Sequence, residues 1–377
     1  MKKIVFINST MNLGGVPRVI SLWSNYIVKK GFSVEVVSNI NKEYFYEFDK
    51  KINHTILGID QFGRGNKLLI LFKLYSLLKN RKDEYLIFNK SHYTGYLYIL
   101  KLFNLYHNSL KVIYFVHGGT SDFKTLYNNQ KKYLIYKTYD SIIALHNDYD
   151  SHKFKYPTSW KRKILDFIIS DRWKQIEKKI FILSNPLTFE TEEIADYSTK
   201  TILAIGRLDK NKGFDLLIDS WLLIKDKYPE WNLKIVGSGE EEINLRKKAN
   251  GITSIQLLPA NYDVKNIYLS SSIYAMSSLE EGLGMVLLEA MQSGLPIVGF
   301  SNVGSRFLVK NGHNGFLCDV GDIESLAINL SNLMSDLHLI KKMGKNSKQS
   351  SEEFKIDYLY NKFLSVLKNT NNEKENY

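Results

Sequence analysis

The sequence has a single cysteine and only a short apolar run near its start. These two features argue against a disulfide-bonded protein and against a secreted one. Cys318 has no second cysteine with which it could form an intramolecular disulfide. After its first lysines, Met1–Thr10 contains a run of 4 apolar residues, which is too few for the core of a signal peptide. The sequence therefore predicts a cytoplasmic protein that folds in a reducing compartment.

Long hydrophobic runs are also absent. The run Leu68–Phe72 ends at Lys73, and the run Tyr96–Leu100 ends at Lys101. A membrane-spanning helix needs about 20 consecutive apolar residues. The sequence therefore predicts that the chain does not span a membrane.

The length of the chain limits the number of domains, and its net charge indicates the kind of partner. The 377 residues are 44% hydrophobic, which predicts two to three globular domains. The net charge of +12 is uneven, because residues 1–186 carry 30 Lys/Arg and 14 Asp/Glu while the remainder carries 21 and 25. Such asymmetry favours an anionic partner, either nucleic acid or a membrane surface, although a generally lysine-rich composition would give the same numbers.

The N-terminal stretch predicts a Rossmann-like β-α-β unit. A strand at Lys3–Ile7 is followed by Gly14 and Gly15, a helix with Pro17 in its first turn, and a second strand at Val34–Val37. Glycines let a ligand approach the backbone, and the amino end of a helix favours anions. The alternative is that Gly14 and Gly15 only shape a tight turn.

Polar residues follow two later strands. His117 ends a strand that begins at Lys111, and it precedes two glycines. There it could hydrogen-bond a phosphate or a substrate hydroxyl, or move a proton, or it could be structural. Asp148 and Asp150 form a D-x-D that could hold a divalent cation, but their position after a strand favours a helix cap.

The segment Ser151–Lys179 is basic and amphipathic. It contains 9 Lys/Arg and 3 Asp/Glu, interleaved with bulky apolar residues such as Trp160 and Trp173. A helix of this composition could lie on an anionic membrane. It could equally be a surface helix with a solvated basic face.

A change to acidic and polar residues near 187–200 marks a domain boundary. A second Rossmann-like unit then begins with a strand that ends at Gly206 and a loop that carries Arg207 and Lys212. Two cations in such a loop suit a diphosphate, and Gly237 ends the next strand in a turn that suits a nucleotide. We expect an N-terminal Rossmann-like domain at 1–187, a C-terminal one at 188–355, and a C-terminal helix and tail at 356–377, with the helix packing back on the N-terminal domain.

The stretch Ser277–Asn302 organises this second half. A strand at Ile273–Met276 leads into a turn with Glu281, and a helix that carries Glu289 follows. Loops at the carboxyl ends of strands bind ligands in open α/β sheets. The two glutamates are eight residues apart, about 12 Å along a helix, which suits two ends of one extended ligand better than an acid/base pair.

These residues together resemble the retaining glycosyltransferases of family four. The resemblance implies an α/β GT-B fold with two facing Rossmann-like domains and a donor cleft between them. It also implies that Glu281 contacts the donor sugar, that Glu289 binds the ribose, and that Arg207 and Lys212 neutralise the diphosphate. The remaining site residues that the resemblance implies are the catalytic His117 and the donor-binding Gly14, Gly15, Gly282, Leu283, Gly284 and Met285. Gly237 is a further donor-binding candidate, on the composition of its turn. The chain departs from the family where many members have Gly-Gly-x-x-Glu, because it has Gly304, Ser305 and Arg306.

The implied function is transfer of a hexose from a nucleotide diphosphate sugar to a glycan or lipid-linked acceptor, in bacterial surface polysaccharide synthesis. Cations at the leaving diphosphate would lower the barrier without a metal cofactor. The expected location is the inner face of the cell membrane, in contact with anionic lipid. The alternatives are a sugar-nucleotide epimerase or glycan phosphorylase of the same fold, and a basic nucleic-acid-binding protein, which the lack of any nucleic-acid-binding motif makes improbable.

Overall fold

The computed structural model describes residues 2–40, 44–59, 67–117, 138–146, 178–260 and 263–372. The chain divides into two compact units. Unit 1 comprises Met1–Pro186 and Leu359–Tyr377, and unit 2 comprises Leu187–Tyr358. Asp148, Asp150 and nearly all of Ser151–Lys179 lie outside the described residues, so the D-x-D and the basic amphipathic segment stay sequence predictions.

Unit 1 is built on a parallel sheet. In the described residues its strand order is β3-β2-β1-β4-β5-β6-β7, and every pair of neighbouring strands is parallel. The strands are β1 Lys3–Asn8, β2 Ser33–Ser38, β3 Asn53–Ile56, β4 Glu84–Phe88, β5 Lys111–Val116, β6 Ser141–Ala144 and β7 Ile180–Ile182, and the helices are α1 Gly15–Lys29, α2 Lys67–Leu78 and α3 Thr94–Leu102.

Unit 2 repeats this architecture. Its described strands are parallel in the order β10-β9-β8-β11-β12-β13. The strands are β8 Thr201–Ile205, β9 Asn232–Val236, β10 Ile255–Leu258, β11 Ile273–Met276, β12 Ile297–Phe300 and β13 Gly315–Cys318. The helices are α4 Phe214–Leu222, α5 Glu242–Lys248, α6 Val264–Leu269, α7 Met285–Gln292, α8 Val303–Leu308, α9 Ile323–Met334, α10 Leu337–Ser351 and α11 Ile356–Asn372, whose main part belongs to unit 1.

The central strands are largely apolar because helices cover both faces of a parallel sheet. All residues of β5, β11 and β12 are buried. In each sheet the first strand lies between the second and a later one, β1 between β2 and β4, and β8 between β9 and β11. The chain therefore reverses its winding direction at the carboxyl ends of β1 and β8, which is where doubly wound sheets bind ligands.

The last helix, α11, packs against unit 1. The ring of Phe363 stacks on Trp23 with centroids 4.9 Å apart. The hydroxyl of Tyr85 donates to the carbonyl of Leu367 at 3.3 Å, and the hydroxyls of Ser141 and Thr370 lie 2.7 Å apart. Across the described residues, no helix is both long enough and apolar enough to cross a bilayer.

Candidate active site

The loop after β8 carries both predicted cations. Asp209 organises this loop, because its Oδ1 accepts from the backbone N–H of Lys212 at 3.2 Å and its Oδ2 accepts from Nε of Arg207 at 2.5 Å. Arg207 is largely exposed, and its Nη2 lies 2.5 Å from the same Oδ2. Gly213 then starts α4 with φ of 59°, and a Cβ there would lie 2.3 Å from the carbonyl oxygen of Ser277. Only glycine fits this left-handed, crowded position.

The loop after β11 is hydrogen-bonded to the loop after β8. The amide of Asn211 pairs in both directions with Glu280, donating to its carbonyl at 2.9 Å and accepting from its N–H at 3.2 Å. The N–H of Leu279 donates to the carbonyl of Asn211 at 2.8 Å, and Ser277 Oγ donates to the carbonyl of Lys212 at 2.8 Å. Because these bonds hold the two loops together, residues about 70 positions apart in sequence become neighbours.

Lys212 and Glu281 form an ion pair across these loops. The Lys212 Nζ lies 2.5 Å from Glu281 Oε2, and the two side chains are 18% and 19% exposed. Glu281 is held in place from another side as well, because its carbonyl accepts from the N–H of Gly304 at 3.1 Å. The structure thus places a predicted sugar-binding carboxylate directly against a predicted diphosphate-binding ammonium.

The turn Gly282–Met285 leads into α7. Gly284 has φ of 81° and precedes the first helical residue, Met285. Leu283 is buried, and a Cβ on Gly304 would lie 2.9 Å from the Leu283 carbonyl carbon. The amides of this turn lie at the amino end of α7, where the helix dipole favours negative charge.

Glu289 lies one turn further along α7 and is only 2% exposed. Its Oε1 accepts from the hydroxyl of Thr188 at 2.8 Å, and its Oε2 accepts from the hydroxyl of Tyr268 at 2.9 Å. A carboxylate held in this way acts as a fixed hydrogen-bond acceptor. Arg306, on α8, donates from Nη1 to the carbonyl of Ser301 at 2.8 Å and is exposed.

His117 is in unit 1, directly after β5. Its ring stacks on Phe115 with centroids 4.1 Å apart, and its Nε2 lies 2.8 Å from Oδ1 of Asn89. The Asn89 amide nitrogen donates to the carbonyls of Ile7 and Ile87. The facing Oδ1 of Asn89 is therefore an acceptor, so that Nε2 of His117 carries the proton.

This arrangement leaves the other ring nitrogen of His117 as an acceptor. Nδ1 is buried, and among the described residues it has no hydrogen-bond partner. Burial, and to a smaller extent the charge of Lys90, lower the pKa of His117 from 6.5 to about 3. The imidazole is therefore neutral at physiological pH, which suits accepting a hydrogen bond from a hydroxyl and does not suit pairing with a phosphate.

Gly14 and Gly237 differ in the space that the fold leaves for a side chain. Gly14 has an extended backbone with φ of 162°, exchanges hydrogen bonds with the hydroxyl of Tyr46, and precedes Gly15, the first residue of α1. A Cβ on Gly14 would meet only Pro17 Cδ, at 3.7 Å, whereas one on Gly237 would lie 1.9 Å from the carbonyl oxygen of Gly206. Packing therefore requires glycine at 237, while among the described residues nothing in the fold requires it at 14.

These contacts predict opposite results for two alanine substitutions. Gly237→Ala should lower the melting temperature, because overpacking a rigid backbone contact costs about 1–3 kcal/mol or more. Gly14→Ala should leave the melting temperature unchanged, because a Cβ there meets only Pro17 Cδ at 3.7 Å, and, if Gly14 contacts the donor as the resemblance implies, it should weaken nucleotide binding. Thermal unfolding and nucleotide titration of both variants check this, and equal melting temperatures would contradict the assignment.

The predicted site residues divide between the two units. Gly14, Gly15 and His117 lie in unit 1, and the others lie around the carboxyl ends of the unit 2 strands. The sequence did not point to Asp209, Asn211, Thr188 or Tyr268, because polar residues in loops and tyrosines in short helices are common. Among the described residues, there is no group of three or more His, Cys, Asp and Glu side chains that could hold a metal ion.

Comparison with known proteins identifies the family. Residues 189–350 match the family model of group 1 glycosyl transferases. An uncharacterized glycosyltransferase of Haemophilus influenzae is 32% identical over 97% of this chain and 100% of its own length. A Campylobacter jejuni enzyme named GalNAc-alpha-(1->4)-GalNAc-alpha-(1->3)-diNAcBac-PP-undecaprenol alpha-1,4-N-acetyl-D-galactosaminyltransferase is 24% identical over 99% of this chain and 100% of its own.

A solved structure gives the fold. The pneumococcal O-GlcNAc transferase GtfA, in complex with UDP and GlcNAc, superposes with a TM-score of 0.74 at 14% identity, over 98% of this chain and 99% of that one. The predicted α/β fold class is confirmed, with a parallel sheet in each unit. This chain has the GT-B fold and belongs to the group 1 glycosyltransferases.

Proposed function

We propose that the chain transfers a hexosyl group from a nucleotide diphosphate sugar to a glycan or lipid-linked acceptor, with retention of the anomeric configuration. The observation that carries the proposal is the Lys212–Glu281 pair at the amino end of α7, the helix that also bears Glu289. In this proposal the three charged groups contact successive parts of one nucleotide sugar. Lys212 binds the diphosphate, Glu281 binds the sugar, and the buried Glu289 binds the ribose. The C. jejuni relative, named for a lipid-linked glycan acceptor, supports the same class of acceptor for this chain.

The proposed chemistry needs charge stabilisation at the leaving group. As the bond from the sugar C1 to the diphosphate breaks, negative charge develops on the diphosphate, and Lys212 and Arg207 are the cations that would stabilise it. The acceptor oxygen forms its new bond to C1 on the same face, and its proton passes to a diphosphate oxygen. We propose that this reaction is independent of metal ions.

In unit 1, we propose that His117 accepts a hydrogen bond from a substrate hydroxyl through Nδ1. Its lowered pKa of about 3 keeps the imidazole neutral throughout the pH range in which such enzymes work. The Gly14–Gly15 turn at the start of α1 is the second proposed substrate contact of this unit.

A donor screen tests the proposed function. The purified chain is incubated with UDP-, GDP- and ADP-linked hexoses, with and without a lipid-linked glycan acceptor, and release of nucleoside diphosphate is measured in the presence of EDTA. Turnover that requires the acceptor supports a transferase. Conversion of the donor without an acceptor would indicate an epimerase instead, and a requirement for inorganic phosphate would indicate a phosphorylase.

We also propose that unit 1 contacts an anionic membrane at the cytoplasmic face, in bacterial surface polysaccharide synthesis. The described residues that support this lie on α2 and α3. Their exposed apolar side chains, together with Phe103 directly after α3, form what we call the α2–α3 surface. Its members are Leu68, Leu69, Phe72, Ile99, Leu102 and Phe103, and four of them are more than 60% exposed. Large apolar side chains at such exposure are typical of a contact surface.

The charges of these two helices favour anionic lipid over other occupants. The charged residues of α2 and α3 are all lysines, Lys67, Lys73 and Lys101. Near a membrane that contains anionic lipid, an exposed lysine contributes about 1 kcal/mol of attraction. Lys101 also lies 4.0 Å from Asp140. A second copy of the chain docked face to face would instead bring lysines against lysines.

Vesicle co-sedimentation tests the membrane contact. We expect the wild-type chain to sediment with phosphatidylglycerol vesicles at low salt, and to bind less at high salt and to phosphatidylcholine. The double substitution Phe72→Ser and Phe103→Ser should reduce binding about ten-fold, because it removes two apolar anchors. Ile243→Ser, at an equally exposed apolar position in unit 2, is the matched control, and equal binding of both variants would refute the assignment of this surface.

A further inference from the structure

The buried carboxylate of Glu289 has a hydroxyl donor on each oxygen. Thr188 donates to Oε1 at 2.8 Å, and Tyr268 donates to Oε2 at 2.9 Å. Because the two donors bind different oxygens, they fix the plane of the carboxylate as well as its position. Both donors are neutral, so they orient the group without cancelling its charge.

The packing around Tyr268 holds its hydroxyl in place. The residue is fully buried near the end of α6, with ring centroids 5.8 Å from Tyr274 and 6.4 Å from Phe189. The hydroxyl also lies 3.2 Å from the carbonyl of Val286. A hydroxyl has one proton to donate, and the nearer, charged oxygen of Glu289 is the stronger acceptor.

Thr188 and Tyr268 donate to different oxygens of Glu289, and a carboxylate oxygen can accept more than one hydrogen bond. A vicinal diol presents two O–H donors side by side, which matches two acceptor oxygens held in a fixed plane. Because folding already orders the Glu289 carboxylate, binding a diol costs no further side-chain entropy at this residue.

We infer that Tyr268 and Thr188 are positioning residues that orient Glu289 toward the ribose diol of the donor nucleotide. The inference rests on the proposed function, in which Glu289 binds that ribose. It extends the site to two residues from outside the Ser277–Asn302 stretch, which act only through the carboxylate of Glu289.

Isosteric substitutions separate this role from a purely structural one. The variants are Tyr268→Phe and Thr188→Val, and the matched control is Tyr228→Phe, which removes a buried tyrosine hydroxyl that pairs with Ser331 elsewhere in unit 2. Affinity is measured by titration calorimetry with UDP, 2′-deoxy-UDP and 3′-deoxy-UDP, and KM and kcat are measured with the donor found in the screen. Melting temperatures monitor the fold.

We expect each variant to bind UDP about five- to ten-fold more weakly, the effect of one lost hydrogen bond of ordinary strength, because the lost hydroxyl acts on the ligand only through Glu289. The deoxy analogues should bind the wild type about ten-fold more weakly than UDP does. That penalty should fall to about two-fold in Tyr268→Phe, because a misoriented Glu289 no longer recognises the diol. KM should rise with little change in kcat, and Tyr228→Phe should behave as the wild type.

Two outcomes would overturn the inference alone, and a third would overturn the proposed function as well. If Tyr268→Phe and Thr188→Val weaken UDP and its deoxy analogues equally, or bind UDP as tightly as the wild type does, the hydroxyls do not position Glu289 for a ribose. The proposed function survives either result, because wild-type binding and turnover are intact. If the wild type binds none of UDP, GDP and ADP, the proposed function fails and the inference fails with it.

Discussion

Replacing Lys212 with methionine is expected to lower kcat/KM about a hundred-fold. That loss corresponds to about 2.7 kcal/mol of transition-state stabilisation, which is typical when one group that faces a developing charge is removed. Methionine keeps the unbranched stem of the side chain but removes the ammonium that lies 2.5 Å from Glu281. Initial rates of nucleoside diphosphate release, measured with the donor found in the screen, check the expectation.

A neighbouring lysine provides the matched control. Lys210 belongs to the same short helical turn, Lys210–Lys212, but is exposed, so Lys210→Met should change kcat/KM less than two-fold. Glu281→Gln should also lose activity, at least about ten-fold. A wild-type rate for Lys212→Met would remove this residue, and the ion pair with it, from the mechanism.

Much of the fold could be predicted because the buried strands of a parallel sheet are continuous apolar runs. The strand at Ile273–Met276 has the predicted bounds, since turn residues flank the run. The edge strand β3, Asn53–Ile56, is only slightly buried and has no such signal. Burial on both faces makes a strand recognisable in the sequence, and an edge strand lacks it.

Helix α10 shows a second kind of limit. Its buried face includes Gly344, Ser347 and Ser351 beside Ile340 and Met343, so an apolar periodicity is hardly visible. Small residues are needed there because a Cβ on Gly344 would lie 2.3 Å from both the Tyr197 hydroxyl and the Gly294 carbonyl. The partner that requires a small residue is distant in sequence, and the sequence alone cannot reveal it.

The site follows the same logic. Arg207, Lys212, Glu281 and Glu289 are charged residues in two loops and on α7, and the family resemblance singles them out as candidates from the sequence. Their supports cannot be recognised in this way. The side-chain amide of Asn211 exchanges two hydrogen bonds with the backbone of Glu280. The hydroxyl of Tyr268 donates to Glu289. Both contacts form only when elements that are distant in sequence come together in the fold.

The second large expected effect concerns the stability of unit 1. Glu35 on β2 is 4% exposed, and its carboxylate accepts from Arg81 at 2.8 and 2.9 Å and from Thr55 at 2.7 Å. Lys3 lies 2.6 Å from the same carboxylate, and Arg81 also binds Glu84 at 2.8 Å. This network ties β1, β2, β3 and β4 together near their amino ends.

Removing the cation at the centre of this network should be costly. Arg81→Met leaves Glu35 buried with only Lys3 and Thr55 as partners, and we expect the free energy of unfolding to fall by about 3 kcal/mol. The melting temperature should fall by roughly 6–12 °C for a unit of this size. The control is Arg246→Met, which breaks an exposed pair with Glu242 at 2.9 Å and should cost less than about 0.5 kcal/mol.

The pH dependence of stability tests the same network through its carboxylate. Burial alone would raise the pKa of Glu35, but the hydrogen bonds from Arg81, Lys3 and Thr55 and the charge of Arg81 outweigh it and lower the pKa from 4.5 to about 2. The unfolded chain therefore binds a proton more readily than the folded one, so this contribution is complete above pH 4.5 and is lost as the pH falls toward 2. Allowing for solvent screening, it amounts to about 2 kcal/mol. The free energies of unfolding of the wild type and Glu35→Gln, measured in urea, should accordingly differ most at pH 7 and progressively less as the pH falls from 4.5 toward 2. A difference that is the same at pH 7 and pH 3 would show that the charge of Glu35 does not stabilise the sheet.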